Sequence, residues 1–427
     1  MYTNTLIQKN MKKVLVVTFF WPPSGKATLH WPLKVVKFLP EFKWQPVVLT
    51  VKEDTFSAKD ESLMSEVSPS LEVIKTGYFD PFILYRKLLG KDPDKPLIAS
   101  ETISKTNKSF LHRLSIWIRM NLFVPDARAG WYRQAVKHAS QYLSTNPVDA
   151  VITVGPPHSS HLIGMRLSKK FNIPHIPVLI DPWVDIVYYK DFKRNPLVLK
   201  LDRYFEETVM KRSAAIVFVT ENTRNDFIRK YPGIKDKTHV FYWGYNEEDF
   251  SNIHHEITDK EILLHAGNIF DYQNTPNLWK TVKEEINNGR NLFIKFIGTV
   301  SPAVKQSITQ NGLADRTTYS GFIPYHAVVK EMCSASYLLV CATEPRHVPG
   351  KLFEYLRTGK PVLAFGEDND EVKRILEKNN AGMLFRYNDS AKEFFLKSKE
   401  FTTNIDSVKQ YDRRSIARGI SEILDSL

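Results

Sequence analysis

KKVLVVTFFWPPSG, residues 12–25, is the stretch on which the fold turns. Residues 14–19 form a continuous, β-branched-rich apolar run, the pattern of a parallel strand covered on both faces. The Pro/Gly loop 22–25 stops it. Residues 33–39 then read as a helix, with Leu33, Val36 and Phe38 apolar between Lys34 and Lys37. Residues 46–51 make the next strand, and strand, loop, helix, strand opens a doubly wound α/β unit. Lys12 and Lys13 before a short apolar run imitate a secretory leader. The run ends in Pro22-Pro23 with no small-residue cleavage site, so it reads as a buried first strand and the expected location is cytoplasmic.

Outward from this start the alternation continues. Helices are expected at 132–143, 160–171, 199–211 and 222–230, and strands at 150–154, 175–179, 215–220 and 238–241. A second series follows the polar stretch 247–260, with strands at 262–265, 292–297, 317–320, 337–341 and 361–364. Helices at 275–287, 302–311, 325–334, 351–358 and 369–378 alternate with them. Residues 411–427 form a last amphipathic helix, with Ile416, Ile420, Ile423 and Leu424 on one face. At 427 residues the chain exceeds what one core usually supports. The expected division is 11–248, then 258–408, then a closing helix from 409 to 427.

Composition bounds the function. Cys333 and Cys341 are the only two cysteines, too few for a disulfide framework or a cysteine-built zinc site. The net charge of +12 suits nucleic acid, an anionic membrane or a phosphorylated substrate. With no basic tail and no zinc-finger or RNA-reading signature, nucleic acid is the weakest of these. No apolar run approaches the roughly 18 to 20 residues of a spanning helix. One segment, about 79–133, breaks the alternation. Between Ser104 and Ala139 it holds seven Lys or Arg against one acid, Asp126. Within it FLHRLSIWIRMNLF, residues 110–123, places Leu111, Leu114, Ile118 and Leu122 on one helix face. Such a helix either packs on the core or lies on an anionic membrane surface.

Candidate site residues cluster where strands end, because ligands of open α/β sheets bind outside the carboxyl ends of the strands. There is no G-x-G-x-x-G and no Walker A loop, which removes the main signature of dehydrogenases and P-loop enzymes. Gly25 and Lys26 follow the first strand and form either an anion-facing loop or a plain turn. His158 and Asp181 follow two further strands in GPPH and IDPW. Gly267, Asn268 and Gly298 follow strands of the second series as phosphate- or base-facing turns. Pro349-Gly350 breaks the chain before a helix whose first N–H groups, with Lys351 beside them, suit a diphosphate. Glu354, one turn in, either accepts from ribose hydroxyls or stabilises the helix start.

The order of KKVLVVTFFWPPSG, WPLKVVKFLPEFKWQPVVLT, GPPHSSHLIG, IDPW, GYNEEDF and PGKLFEYLRTGKPVLAFG resembles bacterial family-4 glycosyltransferases of surface-polysaccharide assembly. The likeness runs along nearly the whole chain. It implies the GT-B fold: two Rossmann-like domains facing across a cleft, with the last helix crossing back to the first. It also implies metal-independent, retaining transfer, and no cofactor beyond the sugar nucleotide. By this resemblance Gly25 faces donor diphosphate and acceptor, His158 contacts the transferred sugar, and Asp181 lines the same cleft. Gly350, Lys351 and Leu352 form the phosphate-facing helix start, and Glu354 grips ribose. The sequence departs from the family at several points. Lys26 and Thr28 replace loop glycines, and Arg346 stands where a first glutamate is usual, with Glu344 nearby at another spacing. Asn268 and Gln273 occupy the places of a basic pair, so diphosphate neutralisation passes to Lys351, Lys26 or Arg346.

The expected reaction moves a sugar from a nucleoside diphosphate to a hydroxyl of a lipid-linked or saccharide acceptor. A sugar-nucleotide epimerase on the same fold, or a weakly catalytic scaffold that binds sugar nucleotide, remains an alternative.

Overall fold

The computed structural model describes residues 11–56, 58–80, 117–118, 120–186, 194–251, 253 and 259–427. Most of the irregular segment, with residues 110–116 and 119 of the proposed amphipathic helix, lies outside the described residues, as do 252 and 254–258 of the polar stretch. The chain divides into two compact units. One comprises Met1–Val219, Thr223–Phe241 and Ala417–Leu427, the other Thr220–Asn222 and Tyr242–Ile416.

The first unit is a seven-stranded parallel sheet in the order β3-β2-β1-β4-β5-β6-β7. Its strands are β1 (Lys12–Val17), β2 (Trp44–Val51), β3 (Glu72–Thr76), β4 (Ala150–Gly155), β5 (His175–Leu179), β6 (Ile216–Phe218) and β7 (Thr238–Val240). Helices α1 (His30–Phe38), α2 (Tyr132–Leu143), α3 (Ser159–Phe171), α4 (Pro196–Arg212) and α5 (Glu221–Lys230) connect them. Val14–Val17 are at most 2% exposed, as a strand with both faces covered requires. Strand β1 stops at Val17 rather than residue 19; Thr18 N still donates to Leu49 O, while the Thr18 hydroxyl donates to the Phe20 carbonyl. Glycine at 164 has a packing reason. A Cβ there would lie 2.2 Å from the Thr153 methyl and 2.6 Å from His175 Nε2, so α3 crosses β4 and β5 with no room for a side chain.

The second unit is a six-stranded parallel sheet in the order β10-β9-β8-β11-β12-β13. Its strands are β8 (Glu261–Ala266), β9 (Leu292–Ile297), β10 (Thr317–Tyr319), β11 (Tyr337–Cys341), β12 (Val362–Phe365) and β13 (Gly382–Phe385). Helices α6 (Pro276–Asn287), α7 (Pro302–Gln310), α8 (Tyr325–Ser334), α9 (Lys351–Thr358) and α10 (Asp370–Lys378) alternate with them. Two apolar clusters, one around Leu338 and Phe353 and one around Phe296 and Phe365, fill its interior.

Both sheets reverse direction of strand addition once, between β1 and β4 and between β8 and β11. That reversal opens a crevice at the carboxyl ends of each central pair. The edge strands β3 and β13 have no counterpart in the sequence reading. The first is short and largely half-exposed, and the second starts on Gly382, so neither shows the apolar run of a central strand. The C-terminal helix Arg413–Asp425 ends in the first unit, where Lys12 and the Trp44 indole both reach Asp425.

Candidate active site

In the first unit the crevice lies beside the loops after β1, β4 and β5. The loop after β1 is clamped by residues 58–60: Gly25 N donates to Ala58 O at 2.8 Å, and Asp60 N donates to Pro23 O. The Gly25 N–H is therefore not free for an anion. Neither its backbone angles nor its surroundings demand glycine, since a Cβ would meet Ala58 only in ordinary contact. Lys26 lies half-buried beside it.

The loops carrying His158 and Asp181 are brought together. Strands β4 and β5 are neighbours, and Ile180 N donates to Gly155 O at 2.9 Å. Asp181 is half-buried there. The His158 ring is buried and stacks on Trp183, centroids 5.1 Å apart and nearly parallel. Burial pushes its pKa down to about 3, so it is neutral. Neither ring nitrogen has a hydrogen-bond partner of good geometry, and the buried Ser24 and Ser160 hydroxyls are likewise unpartnered. Unsatisfied buried polar atoms are rare in a settled core.

Residues outside the expected set hold this arrangement. Asp126 accepts from Ser159 N at 2.8 Å and from the Ser159 hydroxyl, capping α3 directly after His158. Asp202 on α4 accepts from the Trp183 indole at 2.8 Å and from Arg194, and Glu206 one turn later accepts from Val184 N. Beneath His158, Thr153 Oγ1 lies 2.8 Å from both His161 Nδ1 and His175 Nε2. A hydroxyl donates once, so it donates to one imidazole and accepts from the other. Asp202 and Glu206 sit four apart on α4, which is legible as a pair. Their inward direction is not, because acids on a helix ordinarily face water.

The second unit's crevice is better defined. Gly267 and Gly298 both adopt left-handed backbone, φ +115° and +104°. A Cβ on Gly298 would lie 2.7 Å from Gly267 O, and one on Gly267 would lie 2.5 Å from Lys351 Nζ. Their N–H groups donate to Ile297 O and Gly321 O, and the Asn268 carbonyl oxygen Oδ1 accepts from Thr299 N. These turns, expected to face a phosphate or a base, thus shape the floor of the crevice with both glycine N–H groups bonded to carbonyls. Gln273, in place of a base, holds Phe270 N and Cys341 O.

Lys351 begins α9 and reaches under Gly267. Its Nζ lies 3.4 Å from His265 Nε2, while His265 Nδ1 is 3.0 Å from Leu339 O. The shorter contact fixes the proton on Nδ1 and leaves the Nε2 lone pair toward the ammonium. Burial lowers Lys351 to about 8 against the opposing pull of Cys341 and Glu354. No side chain caps α9 at Gly350. The Leu352 and Phe353 N–H groups donate to Pro349 O and Gly350 O, so the helix start offers an anion chiefly its partial positive charge. Leu352, expected at a phosphate-facing helix start, has its side chain fully buried in the core and its N–H bonded to Pro349 O. Glycine at 350 has ordinary helical angles and rests against the Trp243 ring.

Glu354 accepts from the Tyr325 hydroxyl at 2.7 Å, and burial raises its pKa while Tyr325 and Arg413 oppose. Arg346 pairs with Glu344 at 3.3 Å, two residues apart, which turns both along the loop before α9. Asn369 pins that loop by donating to Glu344 O and His347 O while its own carbonyl caps α10. Tyr325 and Asn369 come from other elements, and no local motif announces them.

Residues 246–418 match the family described as Glycosyl transferases group 1. Among solved structures, a glycosyltransferase from Rickettsia africae is 14% identical with a TM-score of 0.63, covering 98% of each chain. The Anabaena protein Alr3699/HepE, solved with UDP and glucose, is 13% identical with a TM-score of 0.59 over 97% of this chain and all of that one. A putative UDP-N-acetylglucosamine 2-epimerase from Listeria monocytogenes reaches 0.51 at 11% identity, over 96% and 95%. No curated protein matches the chain by sequence. Residues 246–418 thus carry a domain of the group 1 glycosyl transferase type, and the two-sheet architecture is the GT-B fold.

Proposed function

We propose that the chain transfers a sugar from a nucleoside diphosphate sugar to a hydroxyl of a lipid-linked or saccharide acceptor, in the synthesis of a surface polysaccharide or glycoconjugate. The observation that carries this reading is the Lys351 ammonium, held under Gly267 at the uncapped start of α9 with Glu354 one turn on. The barrier in such a reaction is loss of the diphosphate from the anomeric carbon. A fixed ammonium and a helix N-terminus favour the charge that grows on the leaving oxygens. Glu354 is the ribose partner, already oriented by Tyr325. UDP, bound in the Anabaena structure, is the first donor base to try.

His158 and Asp181 are assigned the transferred sugar. The neutral His158 ring offers one donor and one acceptor to sugar hydroxyls without adding charge beside the oxocarbenium-like centre. Retention of configuration and independence from metal belong to the same reading, which expects turnover to survive EDTA. So does peripheral attachment to an anionic membrane; among the described residues no helix is long and apolar enough to cross one.

Radiolabelled UDP-sugars, offered with membrane lipid extract as acceptor source, test the proposal. Label in an acceptor adduct supports it. Free donor converted to its epimer favours the epimerase whose fold the chain shares, and binding without turnover leaves a scaffold.

A further inference from the structure

Helices α2, α3 and α4 pack side by side, and their outer surface takes no part in either strand-end site. Right-handed crossovers between β3 and β6 place all three on one face of the sheet. Helices α2 and α3 contain no acidic residue. Arg133 and Lys137 stand exposed on one, Arg166 and Lys170 on the other, each pair four residues apart and so on one helix face. The two pairs border an open groove of about 710 Å³. No ion pair holds any of these four cations among the described residues. Ser140, only 9% exposed, lines the same groove with a hydroxyl that has no partner.

The neighbouring surface of α4 adds a different chemistry. Leu197, Leu201 and Tyr204 recur at helical spacing and are 76%, 44% and 59% exposed. Lys200 and Arg203 stand exposed between them. The acids of α4 do not offset these charges: Asp202 and Glu206 are buried, and Glu207 pairs with Lys211. Cations outside any ion pair, beside an exposed Leu/Tyr stripe, fit a lipid interface, where phosphates meet Lys and Arg while apolar and aromatic groups enter the headgroup boundary. A small free anion would leave the Leu197–Tyr204 stripe without a purpose.

We propose that the outer face of α2, α3 and α4 docks on an anionic phospholipid surface. Lipid phosphates occupy the groove between Arg133, Lys137, Arg166 and Lys170, with Leu197, Leu201 and Tyr204 inserted alongside. This rests on the peripheral-membrane part of the proposed function and gives it a surface separate from residues 110–123.

Sedimentation of the full chain with vesicles tests it, using equal phosphatidylglycerol and phosphatidylcholine against phosphatidylcholine alone. Wild type is expected to sediment only with the anionic vesicles. The variant R133Q/K137Q/R166Q/K170Q is expected to bind them at least tenfold more weakly, and L197S/L201S to lose the binding that survives high salt. UDP affinity and circular dichroism, unchanged in both, show that the fold is intact. If both variants bind as wild type while replacement of Trp117 and Leu122 abolishes binding, the membrane reading stands and this surface is wrong. If wild type ignores anionic vesicles, both are overturned. Titration with inorganic pyrophosphate separates a small-anion site: binding that the four-residue variant loses, without vesicle binding, also overturns the proposal.

Discussion

Lys351 is the residue on which donor binding turns, and its environment makes the dependence measurable. Its pKa in the free protein is lowered to about 8, chiefly by burial. An anionic diphosphate binds the protonated form better, so affinity is expected to hold near neutral pH and fall as pH rises through about 8. Calorimetry with UDP between pH 7 and 9.5 reads this, and Lys351→Met should both weaken binding and flatten the profile. A slope that persists in the methionine variant would assign the effect elsewhere. Glu354 offers a second measurement. Glu354→Ala removes the proposed ribose acceptor and should lower UDP affinity about tenfold or more, the worth of a hydrogen bond to a charged group. Tyr325→Phe leaves the carboxylate present but unoriented and should cost less. Equal UDP affinity in all three proteins would remove Glu354 from the site.

At the scale of elements, β4, α3 and β5 enclose three imidazoles in a space that excludes their charged form. Burial lowers His158 and His175 to about 3 and puts His161 well below its ordinary value. In the unfolded chain they titrate near 6.5, so the unfolded state binds more protons below that pH. The stability they confer is therefore complete above about 6.5 and is lost as pH falls toward 3. Each imidazole contributes a slope of up to about 1.4 kcal/mol per pH unit. Urea denaturation at pH 7, 6 and 5 should show the first unit losing stability steeply, and His175→Gln should reduce the slope. The same packing explains Gly155 and Gly164. A Cβ on either would enter an imidazole or the Thr153 methyl.

Across the whole molecule the chain finishes in the unit where it began. Residues 417–427 bury Ile420, Ile423 and Leu424, and Asp425 meets Lys12 and the Trp44 indole. Deleting 417–427 should destabilise the first unit by roughly 5 kcal/mol, since each such aliphatic burial contributes about 1.5–3 kcal/mol. Asp425→Ala should cost under about 1 kcal/mol, because that ion pair is largely exposed. Urea melts followed by tryptophan fluorescence distinguish these outcomes. A truncation as mild as the point variant would show the helix to be an appendage.

Local pattern alone carried the alternation of elements, because strands covered on both faces must be continuous apolar runs and helices must show their period. Residues 132–143, 175–179, 292–297, 325–334, 337–341 and 351–358 needed no adjustment at either end. It also located the strand-end loops, since punctuation by Pro and Gly is local. The edge strands β3 and β13 escaped because half-exposed pairing leaves no strong pattern. Which polar groups remain available depends on contacts between distant segments. Gly25, Gly267 and Gly298 stand in anion- or base-facing loops in one dimension, yet their N–H groups are taken by carbonyls 23 to 33 residues away that no local spacing reveals. Asp126, Asp202, Tyr325 and Asn369 bind partners 19 to 33 residues away and hold His158, Trp183, Glu354 and the Glu344–His347 turn in place. Hydrogen bonding is satisfied by neighbours in space, and those neighbours are set by the sheet order.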